Sequence, residues 1–164
     1  MIVESGEGLV DSNSYVSLED AENYFLERLY IDTWGEATDS EKEASLIMGT
    51  RSIDINFEFR GEKTNGTQAL KFPRSGITIF SYEVPSNSIP ILIKNAVCEM
   101  ALSHLKNDQY SKAESDVTSI KLGGGAIGID FSGGDVSDTE KVISMVRSML
   151  TDYTYSRNWS KILR

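Results

Sequence analysis

A single cysteine and a single histidine among 164 residues remove several kinds of chemistry at once. One cysteine cannot form an internal disulfide, so nothing points to an oxidising compartment. One histidine with one cysteine cannot supply a zinc set, and no Asp-rich run has calcium-loop spacing, so neither a metal nor a cofactor is expected. No apolar run approaches the roughly 20 residues that cross a bilayer. The first residues, Met1-Ile2-Val3-Glu4, lack a basic stretch and an apolar core, so no signal peptide is expected. Positive charge is also scarce: 16 Lys and Arg stand against 25 Asp and Glu, a net charge of −9. That argues against gripping nucleic acid through a generally basic surface. It leaves room for a local basic patch, and equally suits a surface that DNA slides past without sticking.

Reactive groups are correspondingly few. Cys98 and His104 both lie on apolar helix faces, where a structural thiol and a satisfied core histidine are the expected readings. Carboxylates are plentiful, but no spacing singles out a catalytic pair, so no enzyme is expected.

What is present is a folded helical domain. Hydrophobic content of 40% and charged content of 25% are those of a globular chain, and the length suits one domain. The stretch Ser88–Lys106 predicts its central helix, with Ser88 as N-cap and Pro90 in the first turn. Ile89, Ile93, Ala96, Val97, Met100, Ala101 and His104 share one face. Ile91, Cys98, Leu102 and Leu105 form a second stripe nearly opposite. A helix apolar on two sides is buried between neighbours.

Three further helices are expected around it. Ser17-Leu18-Glu19-Asp20 resembles a capping box and predicts a helix from Leu18 to about Leu29, burying Leu18, Ala21, Phe25 and Leu29. Tyr15 and Val16 would pack at its entry. Thr38-Asp39-Ser40-Glu41 starts a second helix, to about Asn56, with one stripe at Ala44, Ile47, Met48 and Ile55 and another at Leu46, Ile53 and Phe57. Arg51 falls within the first stripe. Either it is buried against Asp54 or another acid, or its head reaches water at the stripe's edge. After a flexible link, a last helix from Ser137 or Asp138 to about Tyr153 carries one stripe of Val142, Val146, Met149, Leu150 and Tyr153. The segment Phe59–Pro85 reads as a long irregular loop with a short strand fragment near Ile77–Phe80. Leu70, Phe72 and Pro73 would pin it to a core shared with Ile93, Val97, Met100 and His104.

Residues 117–131 alternate around Gly123-Gly124-Gly125 and read as a β-hairpin, with Ile120, Leu122, Ile127 and Ile129 as its apolar positions. No Lys-Ser/Thr follows the glycines, so this is not a phosphate loop. A lone hairpin is marginal in water and needs a surface to lie on, within the chain or on a neighbouring subunit. The C-terminus is basic and aromatic: Arg157, Trp159, Lys161, Ile162, Leu163 and Arg164. It reads either as a docking tail or as a frayed end packed on its own domain. The organisation expected is therefore one mostly α domain over 1–154, about four helices around a buried central one with one hairpin, and a tail over 155–164.

An ordered set of segments carries a resemblance. Ser14-Tyr15-Val16-Ser17, Ala21 with Tyr24, Lys42-Glu43-Ala44 with Leu46-Ile47 and Asp54, Phe59-Arg60-Gly61, Thr67-Gln68-Ala69-Leu70 with Phe72-Pro73-Arg74, and Ile89-Pro90 resemble a tailed-phage and prophage family. The match covers about residues 1–106, with Phe59 and Phe72 where that family carries tryptophan. Its members look like head–tail connector (adaptor) proteins. The resemblance implies a homo-oligomeric ring, twelvefold, in the virion neck between the phage portal protein and the next neck or tail-completion protein. It implies assembly in the host cytoplasm and DNA passing through the lumen without specific binding. On that reading the hairpin, Gly123, Gly124 and Gly125 included, is an intersubunit or channel element, and the tail docks on the portal. The same family is often labelled a DnaT-like single-stranded DNA-binding protein, and that label is the second reading. Tyr153, Tyr155, Arg157, Trp159, Lys161 and Arg164 would then form its patch of cations and stacking aromatics.

Overall fold

Helix start signals place the main elements. The computed structural model describes residues 1–106, 120–123, 126–129 and 138–155. Ser17 caps α1 (Leu18–Leu26) by accepting from the Asp20 amide, and Ala21 and Phe25 are its buried residues. Thr38 and Glu41 form a reciprocal capping box at the head of α3 (Asp39–Asn56). α4 (Ile91–Lys106) is buried at every position from Ala96 to Ser103 and touches α1, α3, a short α2 (Asp32–Glu36) and α5 (Asp138–Leu150). Two full turns buried on all sides make it the central helix. Each fully buried aliphatic side chain there contributes about 1.5–3 kcal/mol. α5 packs on α4 through Val146 and Leu150, with Val142, Met149 and Tyr153 half-buried beside them.

The buried carboxylate of this core is matched, whereas Trp34 Nε1 and His104 Nδ1 have no hydrogen-bond partner among the described residues. Glu99 is 3% exposed, and its carboxylate takes the Arg28 Nε at 2.8 Å and the Tyr24 hydroxyl at 2.7 Å. A charge that deep needs such partners to be tolerated.

The mostly α class holds, with corrections in detail. There are five α-helices among the described residues rather than about four, because Trp34 is carried into the core on α2, within a stretch that reads as a connection. α1 stops at Leu26. Tyr30 has left-handed backbone (φ 60°), and Leu29 is 72% exposed rather than buried. Ser88 does not cap α4. Its hydroxyl faces the Pro85 carbonyl at 3.4 Å, and the Pro90 carbonyl accepts the first helical amides, from Ile93 and Lys94. In α3 the buried face is Ser45, Leu46, Gly49, Thr50 and Ile53, while Ile47 and Met48 are half-buried and Ala44 and Ile55 are exposed. Arg51 is exposed, so the reading that sends its head to water is correct and Asp54 is engaged elsewhere.

Asp54 belongs to a clamp that fixes the long segment 57–85. The Tyr15 hydroxyl donates to one Asp54 oxygen at 2.7 Å and accepts the Phe72 amide at 3.0 Å. The Lys71 amide donates to the other Asp54 oxygen at 2.9 Å. Burial pushes the Asp54 carboxyl above its ordinary range, against the opposing effect of these donors. Phe72 is fully buried and meets Phe59 edge-to-face at 4.9 Å. Leu70, Phe72, Pro73, Ile93, Val97 and Met100 are buried as anchors should be. His104 is only half-buried, with Nε2 2.9 Å from the Ser52 hydroxyl.

The segment is irregular but not featureless. It holds two antiparallel two-stranded ribbons: β1 (Glu62–Lys63) with β2 (Arg74–Ser75), and β3 (Thr78–Ile79) with β4 (Tyr82–Glu83). The glycine-flanked hairpin is β5 (Ile120–Gly123) paired with β6 (Ala126–Ile129), in the register Ile120↔Ile129 and Leu122↔Ile127. Gly124 and Gly125 lie outside the described residues, as does the link at 130–137.

Candidate nucleic-acid interface

The negative charge is unevenly distributed. Residues 1–56 carry thirteen acids and three bases, whereas residues 57–106 carry four acids and six bases. Within 57–75 the balance is four bases, Arg60, Lys63, Lys71 and Arg74, against Glu58 and Glu62. An acidic protein thus has, besides its basic C-terminus, an internal segment whose net charge is positive.

The fold gathers that region and the end of α5 onto one edge. Phe59 bridges Thr154 antiparallel, the Arg60 amide donates to the Tyr153 carbonyl at 2.8 Å, and the Tyr155 amide donates to the Glu58 carbonyl at 2.9 Å. Tyr153 therefore lies opposite Arg60, and Tyr155, 61% exposed, lies opposite Glu58. One step along, Lys63 pairs with Arg74 across β1 and β2, which puts both side chains on one face of the ribbon. Glu62 pairs with Ser75 and points to the other face.

These cations differ in what they are free to do. Arg74 donates from all three guanidinium nitrogens to the carbonyls of Arg60, Gly61 and Lys71, so it organises the loop and its charge stays in place. Gly61 makes this approach possible. It has φ +69°, and a Cβ there would lie 2.2 Å from the Ser75 carbonyl oxygen. Lys63 and Lys71 each spend one of three donors, on the Gln68 and Phe57 carbonyls, and Arg60 spends one of five, on the Asp152 carbonyl. Among the described residues none of the four forms a salt bridge, whereas Arg28, Lys42 and Lys94 all do, although the Asp54 carboxylate feels the charges of Lys71 and Lys63. Backbone carbonyls leave a cation's net charge uncancelled, and phosphate oxygens are natural acceptors for the donors that remain.

A cleft of about 470 Å³ lies between α1 and α4. Both cations on its wall are paired, Lys94 with Asp20 and Arg28 with the buried Glu99. Cys98 on its wall has its thiol pushed up to about 12, by burial first and then by Glu99 and Asp20, so it is protonated and unreactive. His104 is held below its ordinary pKa by burial. Among the described residues no group of three or more His, Cys, Asp or Glu is arranged to hold a metal ion.

Of the residues expected to act from the sequence, Tyr153 and Tyr155 come to the cationic edge. Arg157, Trp159, Lys161, Ile162, Leu163 and Arg164 lie outside the described residues. The sequence reading missed Arg60, Lys63, Lys71 and Arg74 as a group. Counting charge by segment instead of over the whole chain exposes them.

No curated protein and no solved structure matches this chain. A protein-family model matches it over residues 1–164, and that family is described as "Putative DnaT-like ssDNA binding protein". The match corrects the expectation of a phage head–tail connector. It names single-stranded DNA binding over the full length, and nothing in it points to a neck, adaptor or portal-binding role. The chain belongs to this DnaT-like single-stranded DNA-binding family.

Proposed function

We propose that this protein binds single-stranded DNA, and that the edge formed by residues 58–63, 71–74 and 153–155 is where the strand lies. The observation that carries the reading is the pairing of 153–155 with 58–60. It sets Tyr153 and Tyr155 beside four cations that form no salt bridge among the described residues. Binding without sequence preference needs those two ingredients: cations that follow the phosphates and aromatic faces on which bases stack. Family membership supports the same function. The acidic remainder of the molecule repels phosphate and so confines the strand to this edge. In sequence the chain continues from Tyr155 into Arg157, Trp159, Lys161 and Arg164, three further cations and one more aromatic residue. The proposal contains no catalytic step.

The test compares variants by fluorescence anisotropy on a labelled oligothymidylate. K63A and R60A should each weaken binding and lower the dependence of log K on log salt by about 0.7, the share of one phosphate on a single strand. R51A, an exposed cation on α3, should leave both unchanged. Equal affinity in all three variants would contradict the assignment.

A further inference from the structure

We propose that the tip of the β3–β4 hairpin is a base-stacking element for single-stranded DNA, with Phe80 and Tyr82 as its two aromatic contacts; this rests on the DNA-binding reading above. Phe80 is 84% exposed and Tyr82 79%, and Phe80 is the most exposed large apolar side chain among the described residues. The two-residue turn joining the strands, Phe80-Ser81, is left-handed at both positions, with φ 50° and 69°. That is the backbone of a tight hairpin turn, for which Asn-Gly is the favoured sequence. An L-residue other than Gly, Asn or Asp in this conformation strains its Cβ against the backbone, and a phenylalanine does so without local compensation. Phe80 recovers nothing by burial, and among the described residues neither it nor Tyr82 has a ring partner. Strain of this kind at a side chain this exposed, with no ring partner among the described residues, points to a use outside the chain.

The hairpin is held firmly at its foot. Ile77 is fully buried, and its carbonyl accepts the Val84 amide at 2.9 Å. The Thr64 hydroxyl donates to the Ser86 carbonyl at 3.0 Å, and the Ile77 side chain packs against Gly61. The foot therefore stands beside β1 and the Lys63–Arg74 pair, and three residues of extended chain carry the tip roughly 10 Å further. Cations at the foot and bare rings at the tip match a strand whose phosphates run along the ribbon while its bases reach the hairpin. A protein partner would also accept the rings, but the cations beside the foot favour a polyphosphate.

Irradiating the full chain with an oligonucleotide containing 5-bromouracil and mapping the tryptic peptides tests this directly. The expected cross-link falls in peptide 75–94, at Phe80 or Tyr82. S81G should raise the melting temperature by relieving one strained position and leave affinity unchanged. F80N/S81G should raise it further yet weaken oligothymidylate binding about tenfold, and Y82A should weaken binding similarly. A stabilised variant that binds worse is what a stacking role predicts and a scaffolding role does not. Cross-links confined to other peptides, with F80N/S81G binding unchanged, would overturn the hairpin assignment and leave the DNA-binding reading standing. A changed assembly mass with unchanged DNA affinity would overturn it in favour of a self-association surface. No cross-link and no affinity in the unaltered protein would sink both.

Discussion

At position 49 the chain has no side chain, and the two longest helices depend on that. A Cβ on Gly49 would lie 2.8 Å from the Val97 carbonyl oxygen and 3.1 Å from the Ala101 amide nitrogen. Both neighbours are backbone of α4 and cannot swing aside as a side-chain tip would. Alanine ordinarily stabilises a helix interior by about 1 kcal/mol over glycine. Forcing an extra methyl into a close-packed contact costs about 1–3 kcal/mol. Because the obstacle is backbone, the second effect wins. G49A is expected to lower stability by up to about 2 kcal/mol in urea denaturation, and a raised midpoint would contradict the close α3–α4 contact. The other singular residues are quieter. Cys98 is a buried thiol with its pKa pushed up to about 12. His104 is kept neutral by burial and shares a hydrogen bond with Ser52.

Among elements, the loop at 4–12 is organised around one carboxylate. Glu4 is 1% exposed and accepts the amides of Gly6, Gly8 and Leu9 and the Ser12 hydroxyl at 2.8–3.1 Å. Burial acts to raise its pKa, but the four donors outweigh it and leave the group below its ordinary value of 4.5. A depressed acid contributes stability that is fully present above the unfolded pKa and is lost as pH falls through the folded one. E4Q should therefore cost about 1–3 kcal/mol at neutral pH, where the charged acceptor is replaced by an amide. Its thermal stability should converge with that of the unaltered protein as pH falls from 4.5 through the lower folded-state pKa. Parallel curves across that range, followed by circular dichroism, would contradict the role of the charge. The loop in turn holds segment 57–85: the Leu9 carbonyl accepts the Ala69 amide at 2.8 Å, and the Gly8 carbonyl accepts from the Asn65 side chain.

For the whole molecule, the legible parts were those governed by local rules. The Thr38–Glu41 capping box, the doubly apolar central helix, the stripe on α5, the hairpin at 120–129 and Phe72 as an anchor all follow from spacing within a few residues. What escaped depends on distant partners. Trp34 reaches the core on a five-residue helix too short to show a period, and Leu29 is exposed because the chain turns at Tyr30. Asp54 meets Tyr15 and Lys71, from 39 and 17 residues away, rather than its helix neighbour Arg51. The candidate interface draws on three separated segments, none of which is basic enough alone to stand out against a net charge of −9.

The central claim is that this acidic molecule carries one cationic, aromatic edge that holds a single strand. The most direct test is a titration of the full chain with oligothymidylate and with duplex of equal length across a series of salt concentrations. The account predicts measurable affinity for the single strand, weaker affinity for the duplex, and a log K against log salt slope of about −3 if each of the four cations neutralises one phosphate. No affinity at low salt, or affinity indifferent to salt, would contradict it.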